Sequence, residues 1–252
     1  MHKMLCLFVL TSAHCAAAES RDRVLPLWHH LAGDHELPLP FGLCLNFYTQ
    51  TQRYDLIDLK VNGAEIPLEN LPSTRVDNSL QEYNVKLDAW LLPFLNLYGL
   101  AGGVTGENQV SLGDPLGRIG VEYEGFIYGG GIVLAAGCRN FFFSVNTALT
   151  AAELDTSYSS IRAWVLTPLV GYARGPMSIW VGATQQQAEE HHKGDITIPI
   201  FGKVTYEVEL EERHPWNVLA GARWAFTPRW QVDVEGGFGE RRHLIAGVNY
   251  RF

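Results

Sequence analysis

The residues with the most chemical potential lie in one polar stretch, Glu189-Glu190-His191-His192-Lys193-Gly194-Asp195. Imidazoles beside carboxylates could bind a divalent metal, or pair to activate a water. Both uses need side chains that converge, and adjacent residues of an extended chain point apart. The stretch therefore reads as a solvated outer loop, and no metal or cofactor is expected. A second set is dispersed: Lys86, Asp88, Asn96, Arg223, Asp233, Glu235 and Arg251 each interrupt an apolar alternation. Groups placed so could line a polar path for a small solute. Asp55, Asp58, Glu65, Glu69 and Asp77 make 53–79 acidic, at a spacing that does not match a calcium loop. No nucleophile, base and orienter stand out as a catalytic motif. Cys44 and Cys138 have no Cys or His at ligand spacing beside them, so neither a redox nor a metal pair is expected.

The elements that would position the dispersed set are strands. Leu244, Ala246, Val248, Tyr250 and Phe252 are apolar, and His243, Gly247, Asn249 and Arg251 lie between them. Trp230, Val232, Val234 and Phe238 alternate with Gln231, Asp233 and Glu235. Trp216, Val218, Ala220, Ala222, Trp224 and Phe226 alternate with Asn217, Gly221 and Arg223. Period two over about ten residues is what a membrane barrel needs, because lipid-facing and lumen-facing positions alternate. A soluble sandwich also alternates, but it rarely needs a tryptophan at both ends of a strand. The same pattern runs through 41–48, 83–91 and 141–150.

The strands fall near 41–52, 80–90, 94–104, 121–137, 141–151, 159–172, 176–187, 215–226, 230–238 and 242–252. That is an all-β, antiparallel transmembrane barrel of about ten strands. It becomes twelve if Ile196–Leu210 adds two strands or a hairpin extension. Short turns near 91–93, 138–140, 173–175 and 227–229 interleave with longer connections near 53–79, 105–120, 152–158 and 188–214, as tight periplasmic turns and outer loops do. A turn at 227–229 places Arg223 opposite Asp233, an inward ion pair. A turn at 91–93 places Asp88 opposite Asn96 and Lys86 opposite Tyr98. Trp216, Trp224, Phe226, Trp230, Tyr250 and Phe252 are expected at the membrane interface, where amphipathic rings gather.

The N-terminus sets the compartment. A basic start at Lys3, an apolar run over Met4–Thr11 and small residues at Ala16-Ala17-Ala18 follow the order of a cleaved secretory signal. Residues 1–18 are its expected extent, 19–40 a periplasmic lead-in and 41–252 the barrel. Ser12-Ala13-His14 before Cys15 lacks the leucine and small residue of a lipoprotein site. The net charge is −8, and losing Lys3 makes the mature chain more acidic still, which argues against nucleic acid as a partner.

The C-terminal Phe252, with Tyr250 and alternate apolar residues before it, resembles the last strand of Gram-negative outer-membrane proteins. The stretches Val85–Phe94 and Glu235–Gly239 are similar to a porin-like family of such barrels. The resemblance implies outer-membrane lipid as solvent, and barrel-assembly machinery that reads the terminal strand as a partner. It carries no catalytic residue over. A narrow channel or porin-like uptake protein for small solutes is the function expected. An outer-rim protease or lipase, and an adhesive barrel presenting 53–79 and 188–214, are the alternatives. The sequence does not give the oligomeric state.

Overall fold

A computed structural model describes residues 24–32, 37–65, 67, 75–113, 117–155, 159–198, 202–212 and 214–252. The expected signal over 1–18 lies outside the described residues. A short 3-10 turn, His29–Ala32, precedes the strands. These are β1 (Phe41–Val61), β2 (Ala64–Glu65), β3 (Arg75–Leu92), β4 (Leu95–Gly113), β5 (Gly117–Cys138) and β6 (Phe141–Leu154). Then come β7 (Ser159–Arg174), β8 (Met177–Ile198), β9 (Gly202–Glu212), β10 (Trp216–Ala225), β11 (Trp230–Phe238) and β12 (Arg242–Arg251). No helix among the described residues is long and apolar enough to cross a membrane.

Ten strands close a ring in the order β10-β11-β12-β1-β3-β4-β5-β6-β7-β8, and β8 returns to β10. Every pairing is antiparallel. Reciprocal bonds between Phe41 and Phe252, 3.0 and 3.1 Å, join the first strand to the last residue. Phe41, Phe252 and the tight turns lie at one end of the barrel, its inner end.

Strand length divides the barrel into two tiers. β10, β11 and β12 have 10, 9 and 10 residues, about what a tilted strand needs to cross a bilayer. β1, β3, β4, β5 and β8 have 18 to 22 and continue beyond. In that outer tier β9 pairs with β8 on one side and β1 on the other. One strand thus bridges β8 and β1 where three bridge them below, and the wall contracts from ten strands to eight. The segments read as loops at 53–79 and 188–214 are mostly this wall: β1 runs to Val61, and β8 and β9 form a hairpin extension.

The polarity of the wall inverts at the contraction. On β3 the outward positions Tyr83, Val85 and Leu87 are exposed and apolar, whereas Asp77, Ser79 and Gln81 above them are polar. On β5, Phe126, Tyr128, Ile132 and Leu134 face out below Glu122 and Glu124. The inner tier therefore wears the apolar belt of a transmembrane barrel. The outer tier carries charges outside and hydrophobic residues inside, as a soluble barrel does.

Candidate functional site in the lumen

Inward positions of the inner tier are polar and bonded to one another. Arg251 and Asp88 form an ion pair at 3.1 Å. Arg251 Nε donates to the Leu39 carbonyl at 3.0 Å, and Asn96 Nδ2 donates to Asp88 at 2.6 Å. Arg251 and Asp88 are not on adjacent strands. Both register with Gly42 on β1, and a Cβ there would fall among the Asp88 carboxylate and the Arg251 guanidinium. Glycine leaves the space through which the pair meets.

Arg223 lies opposite Asp233 at 3.5 Å, in the expected register. Asn249 also donates to Asp233. Glu235 accepts from Trp180 Nε1 at 2.7 Å and faces His243 at 3.8 Å. Lys86 lies over the Tyr98 ring at 5.3 Å, and the Tyr98 hydroxyl donates to Asn146 at 2.9 Å.

Two expected oppositions are displaced. Asp88 registers with Tyr98 rather than Asn96, and Lys86 with Leu100 rather than Tyr98. The turn sits at Pro93-Phe94 rather than 91–93, and a bulge between Trp90 and Leu92 takes back one residue, so the net displacement is two. A shift of two keeps each side chain on its face. Asn96 and Asp88, and Lys86 and Tyr98, therefore still meet as diagonal neighbours. His191, His192 and Asp195, read as loop residues, are strand positions of β8 registered with Glu209, Val208 and Thr205 of β9. Among the described residues, no three His, Cys, Asp or Glu side chains converge to hold a metal.

The outer-tier interior was not anticipated. Tyr54, Val76 and Ala188 form one buried cluster with Leu56, Val110, Ala163 and Val208 against it. Val104, Tyr123, Ala152 and Leu154 form a second, joined by Leu80, Ile127 and Ile161. Together they draw on all eight strands of the contracted ring. Eight strands give an interior just wide enough for side chains to fill, and Val76 and Val104 are 0% and 1% exposed. A buried triad crosses this zone: Asn78 Nδ2 donates to Asn108 at 2.7 Å and to the Tyr123 hydroxyl at 2.8 Å. The signal for this core was the alternation of Tyr54-Leu56 and Val76-Leu80 with polar residues. It has the opposite sense to the membrane strands.

Water reaches part of the inner tier. The Arg223 side chain faces inward between lipid-facing Ala222 and Trp224, yet it is 42% exposed. The lumen is thus polar at the inner end, open to water at Arg223 and closely packed around Arg251, Asn96 and Asn249, beneath an apolar throat. Outside, Trp224, Phe226, Trp230 and Phe252 are exposed at the inner rim, and Trp216 at the outer end of β10. Tyr250 packs between Trp230, its ring tilted at 4.9 Å, and Phe252, stacked at 6.0 Å.

No family model matches the chain, and no curated protein matches it. Among solved structures it is similar to the outer membrane protein OprG from Pseudomonas aeruginosa, at 10% identity and a TM-score of 0.49 over 86% of this chain and 98% of that one. It is similar to the β domain of the Bordetella autotransporter BrkA at 14% identity and a TM-score of 0.40, over 84% and 100% of the two chains. For the toluene transporter TbuX from Ralstonia pickettii the values are 8%, 0.33, 86% and 90%.

Proposed function

We propose that this protein is a narrow outer-membrane channel for small solutes, entered by a polar chamber and limited by an apolar throat. The contrast between exposed, inward Arg223 and fully buried Val76 and Val104 carries the reading. Acids and bases alternate around the chamber, as Asp88 with Arg251 and Asp233 with Arg223. Such a lining favours small solutes of either sign over one class of ion. An apolar constriction gates by excluding water, so conductance rises when the throat widens or becomes polar. Export by the N-terminal signal and insertion by barrel-assembly machinery acting on the strand that ends at Phe252 belong to the same reading.

The test is single-channel recording of the refolded barrel in a planar bilayer. Wild type is expected to give small, discrete steps. Val76→Ser with Val104→Ser should enlarge them several-fold, and Arg223→Ala should move the reversal potential toward cation selectivity. Folded protein that stays silent in all three forms would remove the channel reading.

A further inference from the structure

A groove of about 930 Å³ crosses the lipid-facing wall near the inner rim. Its floor is one register row, Gly137, Phe142, Gly171, Trp180 and Gly221, on β5, β6, β7, β8 and β10. These side chains turn to the lumen, where Phe142 covers Gly171 and Trp180 covers Gly221. The outer surface of the row is therefore bare backbone. Phe141, Tyr172 and Ile179 form one wall, and Phe143, Val170 and Val181 the other. Four strand spacings of about 4.8 Å make the groove roughly 19 Å long. It starts one residue from the inner ends of β5 and β6 and climbs to Gly221, four residues above the end of β10. A chain lying in it runs from the headgroup level toward the middle of the bilayer.

The lower mouth is basic. Arg139 occupies the β5–β6 turn and Arg174 the start of the β7–β8 turn, and both are exposed. Asn140 Nδ2 donates to the Ala173 carbonyl at 3.0 Å and holds the two turns together. No carboxylate occurs in 136–152, 165–188 or 216–232. A smaller groove, about 390 Å³, lies elsewhere on the wall between Phe41, Leu87, Leu97 and Phe252. The turn beside it, Pro93-Phe94, carries no charge.

We infer that the larger groove is a binding site for an anionic phospholipid. The acyl chain takes the apolar slot, and the headgroup phosphate takes the two guanidinium groups, which bind phosphate oxygens in a bidentate fork. No carboxylate in these stretches balances a headgroup ammonium, so a zwitterionic lipid gains less. The site is independent of whether the lumen conducts.

Native mass spectrometry of the refolded chain in detergent tests it, with phosphatidylglycerol and phosphatidylcholine of identical acyl chains in equal amounts. Wild type should retain one phosphatidylglycerol at least five-fold over phosphatidylcholine. Arg139→Ala with Arg174→Ala should abolish the preference, and Val170→Trp, which fills the slot, should abolish retention. Leu97→Trp in the smaller groove should change neither. Circular dichroism and the heat-dependent gel shift confirm that each variant is folded. Equal retention of the two lipids by wild type would overturn the inference, as would phosphatidylglycerol still held by folded Val170→Trp.

Discussion

Arg251 and Asp88 offer a measure of how dry the innermost lumen is. Their side chains are 10% and 7% exposed and 3.1 Å apart. Unit charges at that distance attract by about 5 kcal/mol at an effective dielectric of 20. Removing one member of such a pair costs about 3–5 kcal/mol, mainly through the charge left behind. Arg251→Ala should fall near the lower end, about 3 kcal/mol, because Asn96 still donates to Asp88. Asp88→Asn should cost a similar amount, about 3 kcal/mol, since Arg251 keeps only the Leu39 carbonyl. With both changed, no charge is stranded, and the total stays near 3 kcal/mol. The double-mutant cycle then shows a coupling of about 3 kcal/mol. Reversible urea unfolding from lipid vesicles, followed by tryptophan fluorescence, measures all four proteins. Single effects below about 1 kcal/mol that simply add would show a pair screened by water, and would refute the argument that burial makes it strong.

Gly42→Val should lose most of the same coupling without touching either charge, because its side chain enters the space the pair uses; the same unfolding curves report it. Tyr123→Phe should cost only about 1 kcal/mol, since Asn78 keeps its bond to Asn108, and a markedly larger loss would mean that the hydroxyl has a second role. Deleting Phe252 removes both bonds to Phe41, so the folded fraction should fall several-fold in a gel-shift assay of assembly.

The inner tier was legible because a membrane strand must show lipid an apolar face and the lumen a polar one. Leu244, Ala246 and Val248 against Asn249 and Arg251 show that period, and the tryptophans at the strand ends of 216–226 separate it from a soluble sandwich. The outer tier obeys the same period with the sense reversed. In 54–61, Tyr54 and Leu56 turn inward, and Asp55 and Lys60 belong to the water side. Residues so rich in charge resemble a loop when judged by polarity alone. The displaced register of β3 and β4 came from a turn placed later than 91–93 and a one-residue bulge beside it, and the net shift of two leaves no mark in the alternation. The Arg251–Asp88 pair was hidden for another reason. It joins strands from opposite ends of the chain across a third, and only the closed ring brings them together.

β1 pairs with β12 and β3 in the inner tier and with β9 and β2 farther out. Its partners lie at very different distances along the chain. β2 and β3 follow at once, whereas β9 and β12 emerge only after nearly all the chain. Closing so long a loop is entropically expensive and yields its bonds only on completion. The half of β1 beyond Gln52 therefore stays an open edge until β9 pairs with it. One strand thus carries both closures, that of the exterior collar through β9 and that of the membrane wall through β12.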